Sequence, residues 1–238
     1  MPKDELDAEL TSRRCHDGEH RLPPALAVGV AIAAYALLPD SLLIGPRFAI
    51  PAVEGLLLIT VMVVNPVRLV RQTRWSRGAS VVLAGIVIAT DLGALAMLIG
   101  TVDSSRQRPA GLLIGGVQVW LTNVIGFALL FWELDRGGPV ARRAERRDHL
   151  PPADWRFSQD ENGGAVTEVA KTASEHSGWV PLFVDYLYLS VTNSSAFSPT
   201  DTMPLSTRAK LLMAAQATAA LVVTLIIVAR AVGSLGGG

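Results

Sequence analysis

Residues 181–230 read PLFVDYLYLSVTNSSAFSPTDTMPLSTRAKLLMAAQATAALVVTLIIVAR. The order is a short amphipathic helix, a polar hairpin, then a long apolar helix. A half-helix that enters a bilayer, turns and is followed by a full helix is written in this order. Thr192, Asn193, Ser194, Ser195, Ser198, Thr200 and Asp201 lie between two apolar runs. Hydroxyl-rich backbone in that position either crosses a surface or lines a polar cavity, because unpaired polar groups are too costly in hydrocarbon.

The rest of the chain sets the solvent. Half of its 238 residues are hydrophobic and only 18 % are charged, against about a quarter in soluble domains. The mean hydropathy is +0.37. A net charge of zero gives no general attraction to nucleic acid, and no basic recognition motif appears. The one cysteine, Cys15, rules out an intramolecular disulfide and a thiolate metal cluster. The first 22 residues carry charges of both signs ahead of any apolar run, unlike a secretory leader. Residues 1–22 are therefore expected to be a retained polar tail.

About 20 mostly apolar residues cross the hydrocarbon core as a helix. Within residues 23–136 four segments meet that length: about Ala25 to Ile44, Phe48 to Val70, Ala79 to Gly100 and Ala110 to Leu134. A last one runs from about Leu205 to Val232. The alternation of a barrel strand is absent. The link between the second and third segments holds Arg68, Arg71, Arg74 and Arg77 with no acid among them. After the fourth come Arg136, Arg142, Arg143, Arg146 and Arg147. The positive-inside bias places these links and the N-terminus in the cytosol. Residues 137–178, with Pro151-Pro152 and Gly163-Gly164, read as a partly ordered cytosolic linker too polar to bury a core of its own. Residues 179–238 then form the half-helix, polar turn and final helix. The expected fold is an all-α membrane protein of about five transmembrane helices plus a re-entrant half-helix hairpin. The alternative is that residues 179–197 cross fully, giving six spans.

Asp91 sits near the middle of the third helix, where a carboxylate costs about 2.5–3.5 kcal/mol and must face protein or water. It is a candidate proton or cation site, or a carboxyl group bonded to a neighbouring helix. Asp185 is either an acid at a pore mouth or a cap on the half-helix N-terminus. Asn65, Gln118 and Asn123 read as interhelical glue, and Gly111 with Gly115 as a close-approach pair. No metal motif, Walker loop, nucleophile elbow or dinucleotide fingerprint occurs, so neither an enzyme nor a metal or cofactor site is expected.

Two likenesses sharpen the expectation. Tyr188-Leu189-Ser190 followed by Asp201-Thr202-Met203-Pro204 resembles the pore helix and filter of potassium channels, in degenerate form. There Y-F-S leads into T-V-G-Y-G-D-x-x-P, and Ala196-Phe197-Ser198-Pro199-Thr200 stands in place of the filter. A potassium filter needs glycines for its carbonyl stack; this stretch has none, and Pro199 fixes its own φ. WELDRGGP (Trp132 to Pro139) together with DYLYLSVTNSSAFSPTDTMPLS is similar to a bacterial family of integral membrane proteins that is a domain of unknown function. That likeness implies an inner-membrane, multi-pass protein. The channel likeness implies a homo-oligomer, a tetramer, that passes cations in the lipid bilayer. Thr192, Asn193, Ser194, Ser195, Ser198, Thr200 and Asp201 would line its path. Two other readings stand beside it: a non-conducting membrane scaffold or sensor acting through the linker, and a proton-coupled carrier using Asp91.

Overall fold

In the computed structural model, residues 18–64, 68–69, 74–100, 109–195 and 201–236 are described. Among them are six long helices: α1 (Leu22–Ala36), α2 (Ala49–Val64), α3 (Arg74–Gly100), α4 (Pro109–Leu134), α5 (Phe183–Ser195) and α6 (Thr207–Gly236). The protein is mostly helical, and three stretches are long and apolar enough to cross a membrane: Trp75–Gly100, Gly111–Gly137 and Thr207–Val232.

The first two apolar segments fold as shorter helices than their composition suggests. α1 has 15 residues and α2 has 16, about 22 and 24 Å of helix against a hydrocarbon core of about 30 Å. Pro39 cannot continue α1, and a single 3-10 turn, Asp40–Leu42, follows it. Arg47 holds that corner closed. Its guanidinium donates to the carbonyls of Ala36 (2.6 Å) and Leu38 (2.9 Å) and pairs with Asp40. Leu42 at the corner is fully buried.

α4 is the central element, packed on α1, α3, α5 and α6. Its glycines explain how. A Cβ at Gly116 would stand 2.7 Å from Ile227 of α6, and one at Gly126 would stand 2.9 Å from Ile88 of α3. Close helix approach thus runs through Gly116 and Gly126. Gly111 meets open space, and Gly115 makes room for Leu42, so the spacing read as a packing pair serves the corner instead.

Two small antiparallel ribbons tie one end together. β1 (Glu19–His20) pairs with β2 (Arg68–Leu69), joining the chain ahead of α1 to the link before α3. β3 (Trp155–Arg156) pairs with β4 (Met203–Pro204), joining the 137–178 stretch to the start of α6. That stretch was expected to be a partly ordered linker. Its residues 141–177 instead fold as single helical turns that seat Trp155, fully buried, among Phe131, Tyr186 and Met213. Phe157 lies edge-on to Tyr186 and Trp179. The stretch buries no core of its own; its aromatics complete the core of the helices, and it forms a cap.

Trp155→Ala should therefore destabilise the protein by about 3–5 kcal/mol, the usual cost of emptying a large aromatic site. Thermal unfolding in mild detergent checks this, and a Tm within a degree of the parent would contradict it.

Candidate functional site

The site is built on the end of α4. After Leu134 the chain makes a turn in which Arg136, Gly137 and Gly138 all have positive φ, at 49°, 81° and 97°. Glycine tolerates these angles freely, and a Cβ at Gly137 would crowd Ala141 at 3.1 Å. The turn reverses the chain so that Arg142 comes back under the helix it left. Its guanidinium is fully buried and donates to the carbonyls of Trp132 (2.7 Å), Asp135 (3.2 Å) and Pro181 (3.0 Å). The first belongs to the last turn of α4 and the second to the residue that follows it, carbonyls that a helix end leaves without intrahelical donors. The third fixes the chain just before α5, and the same guanidinium lies over the Tyr186 ring at 4.9 Å.

Acids close the arrangement. Glu19 accepts from Trp132 Nε1 (3.0 Å) and from the Phe183 N–H (2.7 Å), with Arg142 3.8 Å away. Burial pushes its pKa up; Arg142 and the two hydrogen bonds oppose that shift. Asp135, also buried, accepts from the Tyr186 hydroxyl and from the Asp154 N–H (2.8 Å). Asp154 in turn holds Arg208 of α6 through a two-pronged ion pair and takes a hydrogen bond from Ser206. The Leu205 N–H donates to the Asp154 carbonyl at 2.8 Å. The chain therefore leaves this cap at Phe183 and is back on it by Met203.

Between those points α5 runs alongside α4 and α6 for 13 residues, about 20 Å. Its inner face carries Phe183, Tyr186, Leu189 and Ser190. Val184 and Tyr188 are exposed. A polar ladder binds its second half to the neighbours. Ser190 donates to the Val124 carbonyl (2.6 Å), and Gln216 of α6 donates to Ser190 and Ser194. Asn193 donates to the Gln216 side-chain oxygen (2.8 Å) and to the Met213 carbonyl (3.0 Å). Gln216 is fully buried and makes both halves of its amide count.

At the tip of α5 lies a cleft of about 430 Å³ lined by Trp120, Asn193, Ser194, Ser195, Ala217, Thr218, Leu221 and Thr224. Thr218 and Thr224 give their protons to carbonyls of their own helix, Ala214 and Ala220. Their oxygens keep only acceptor capacity. The C-terminal end of a helix adds partial negative charge. Among the described residues the lining offers hydroxyl acceptors between apolar walls and holds no acid, an arrangement that could hold a cation only weakly.

The structure distributes the residues singled out from the sequence. Asn193, Ser194 and Ser195 come together at the cleft. Thr192 bonds back to Tyr188 and Leu189 of its own helix and does not line it. Ser198 and Thr200 lie outside the described residues, and Asp201 is an exposed bend beside β4. Asp185 accepts from the Leu182 N–H at 2.7 Å, the return half of a capping box on α5. Asp91, buried on α3, accepts from Thr122 (2.6 Å) and Asn123 (3.2 Å) of α4; it joins those two helices away from the cleft. Trp120, Thr218, Thr224 and Gln216 were not among the sequence candidates. Gln216 had a legible signal, a lone amide in an alanine-rich apolar helix, where polar side chains usually bridge helices. Among the described residues no group of three or more His, Cys, Asp or Glu is placed to hold a metal ion.

Compared with family models, curated proteins and solved structures, the chain matches none of them.

Gln216→Leu removes the donor and acceptor that Ser190, Ser194 and Asn193 share. It should cost about 1–3 kcal/mol, the price of a buried polar group left unpaired. Gln216→Glu should recover less than half of the lost Tm, because a carboxylate cannot donate. Equal stability of Gln216→Leu and the parent in a detergent melt would contradict the ladder.

Proposed function

We propose that the chain passes small cations across a bacterial inner membrane, with the cleft at the tip of α5 as the middle of the path. α1 to α4 and α6 are read as five membrane passes, α1 and α2 crossing where the bilayer thins around them. α5 is the descending arm of a re-entrant hairpin. By the positive-inside bias the cap, with Arg142, Arg143, Arg146 and Arg147, lies in the cytosol, and so does the N-terminus. The hairpin then enters from the cytosolic side, opposite to a potassium channel.

The single observation that supports this reading most is the group of hydroxyls at the cleft. Ser194, Ser195, Thr218 and Thr224 meet the C-terminal end of α5 about 20 Å from the cap. Hydroxyls at such a depth are tolerated where they line a water-filled cavity or are buried in protein. The path is completed by further copies of the chain. The exposed apolar surface of α6, with Leu221, Leu225, Val228 and Val232, is available for their packing. Asp91 is a structural link on this reading, since both of its oxygens are taken by α4.

The test is flux. Purified protein in liposomes carrying a potassium- or sodium-sensitive dye should show cation entry above that of empty liposomes. Thr218→Leu, which fills the cleft without touching the Gln216 ladder, should lower entry severalfold, while Asp91→Asn leaves it within a factor of two. Entry equal to that of empty liposomes for both ions, at several voltages, would overturn the proposal.

A further inference from the structure

A second cleft, of about 330 Å³, opens at the capped end between the β1–β2 ribbon and the first turn of α5. Its lining brings together Arg68 of β2, Arg143 beside the buried Arg142, and His20 of β1, with Pro23, Leu182 and Val184 on its apolar side. Three basic side chains from three separate segments thus converge on one hollow. Arg68 and His20 are directly paired in the ribbon register, so two of the three are fixed relative to each other by backbone hydrogen bonding.

The surroundings restrict what such a hollow can hold. Leu22 is 60 % exposed and Val184 is 58 % exposed, both at the first turn of helices that run away from the cap. The hollow therefore stands where a hydrocarbon surface meets an arginine-rich one. Among the described residues of its lining the acid is Glu19, which is almost fully buried, with its Oε1 occupied by Trp132 and Phe183. Its other oxygen faces Arg142 at 3.8 Å, so its charge is balanced inside the protein rather than turned on the hollow.

We infer that this cleft is a binding site for the headgroup of an anionic phospholipid, its phosphate held by Arg68, Arg143 and His20 and its acyl chains lying along Leu22, Leu182 and Val184. Guanidinium groups match phosphate oxygens with paired N–H donors, and a histidine ring supplies a further N–H in either tautomer. Basic pockets beside membrane helices on the cytosolic side select anionic headgroups in this way. The site clamps β1, β2 and the start of α5 together, so its occupant acts on the hairpin through the cap. The inference is independent of cation passage, since the two clefts share no residue.

The test uses the full chain in a mild non-ionic detergent and follows thermal unfolding by tryptophan fluorescence. Dioctanoylphosphatidylglycerol should raise Tm along a saturable curve. Dioctanoylphosphatidylcholine at the same concentrations should raise it far less, and inorganic phosphate should not raise it. Arg68→Gln and Arg143→Gln should each weaken the apparent affinity about fivefold, the factor equivalent to about 1 kcal/mol per basic side chain. Arg143→Lys should retain most of the response, and Arg146→Gln, an equal charge loss outside the cleft, should leave the curve unchanged. Equal responses to the two lipids, an equal loss in Arg146→Gln, or full reproduction by inorganic phosphate would each overturn the assignment.

Discussion

A buried guanidinium organises this molecule. Arg142 reaches the carbonyls of Trp132, Asp135 and Pro181 and lies over Tyr186, so one side chain closes the end of α4 and fixes the start of α5. An arginine without solvent is tolerable because it is surrounded by acceptors, with Glu19 near enough to balance its charge. Its position depends on Arg136, Gly137 and Gly138, whose positive φ values reverse the chain. Replacing either glycine would move the guanidinium away from its carbonyls.

From that anchor the rest follows in order. Asp135 places Tyr186 and Asp154; Asp154 places Arg208 and Leu205; and so α5 and α6 start from one platform. Side chains then join the two helices farther along, through Gln216, Asn193, Ser190 and Ser194. These are mostly neutral hydrogen bonds in an apolar setting, worth little individually but costly to break singly. The last residues of α5, Asn193 to Ser195, face Trp120 and Thr224 across the cleft.

Much of this was legible in the residues. Apolar runs located five of the six helices, and the polar run from Thr192 to Ser195 marked the end of the short amphipathic one. The sequence left Asp185 as a mouth acid or a cap and Asp91 as an ion site or a link between helices; the hydrogen bonds to Leu182 and to Thr122 and Asn123 match the second reading of each. The lengths of α1 and α2 were less legible, because hydropathy continues across Pro39 and Asp40, where backbone chemistry ends the helix. The cap was hidden for another reason. Residues 137–178 look too polar to fold alone, and they do bury Trp155 and Phe157 against α4, Trp179, α5 and α6. A segment whose core is supplied by its neighbours carries no hydrophobic period of its own. Thr218 and Thr224 were overlooked because a threonine in an apolar helix usually satisfies itself, as both do; the cleft, not the sequence, singles them out.

After α5 the chain returns to the face it left, where β4 pairs with β3. Single cysteines at the exposed positions of Ser177 and Asp201, in a Cys15→Ser background, bracket that excursion. A membrane-impermeant maleimide should spare both Ser177→Cys and Asp201→Cys in intact cells and label both once the cells are permeabilised. Labelling of Asp201→Cys in intact cells, with Ser177→Cys still protected, would mean that the chain crosses between them and would contradict the account.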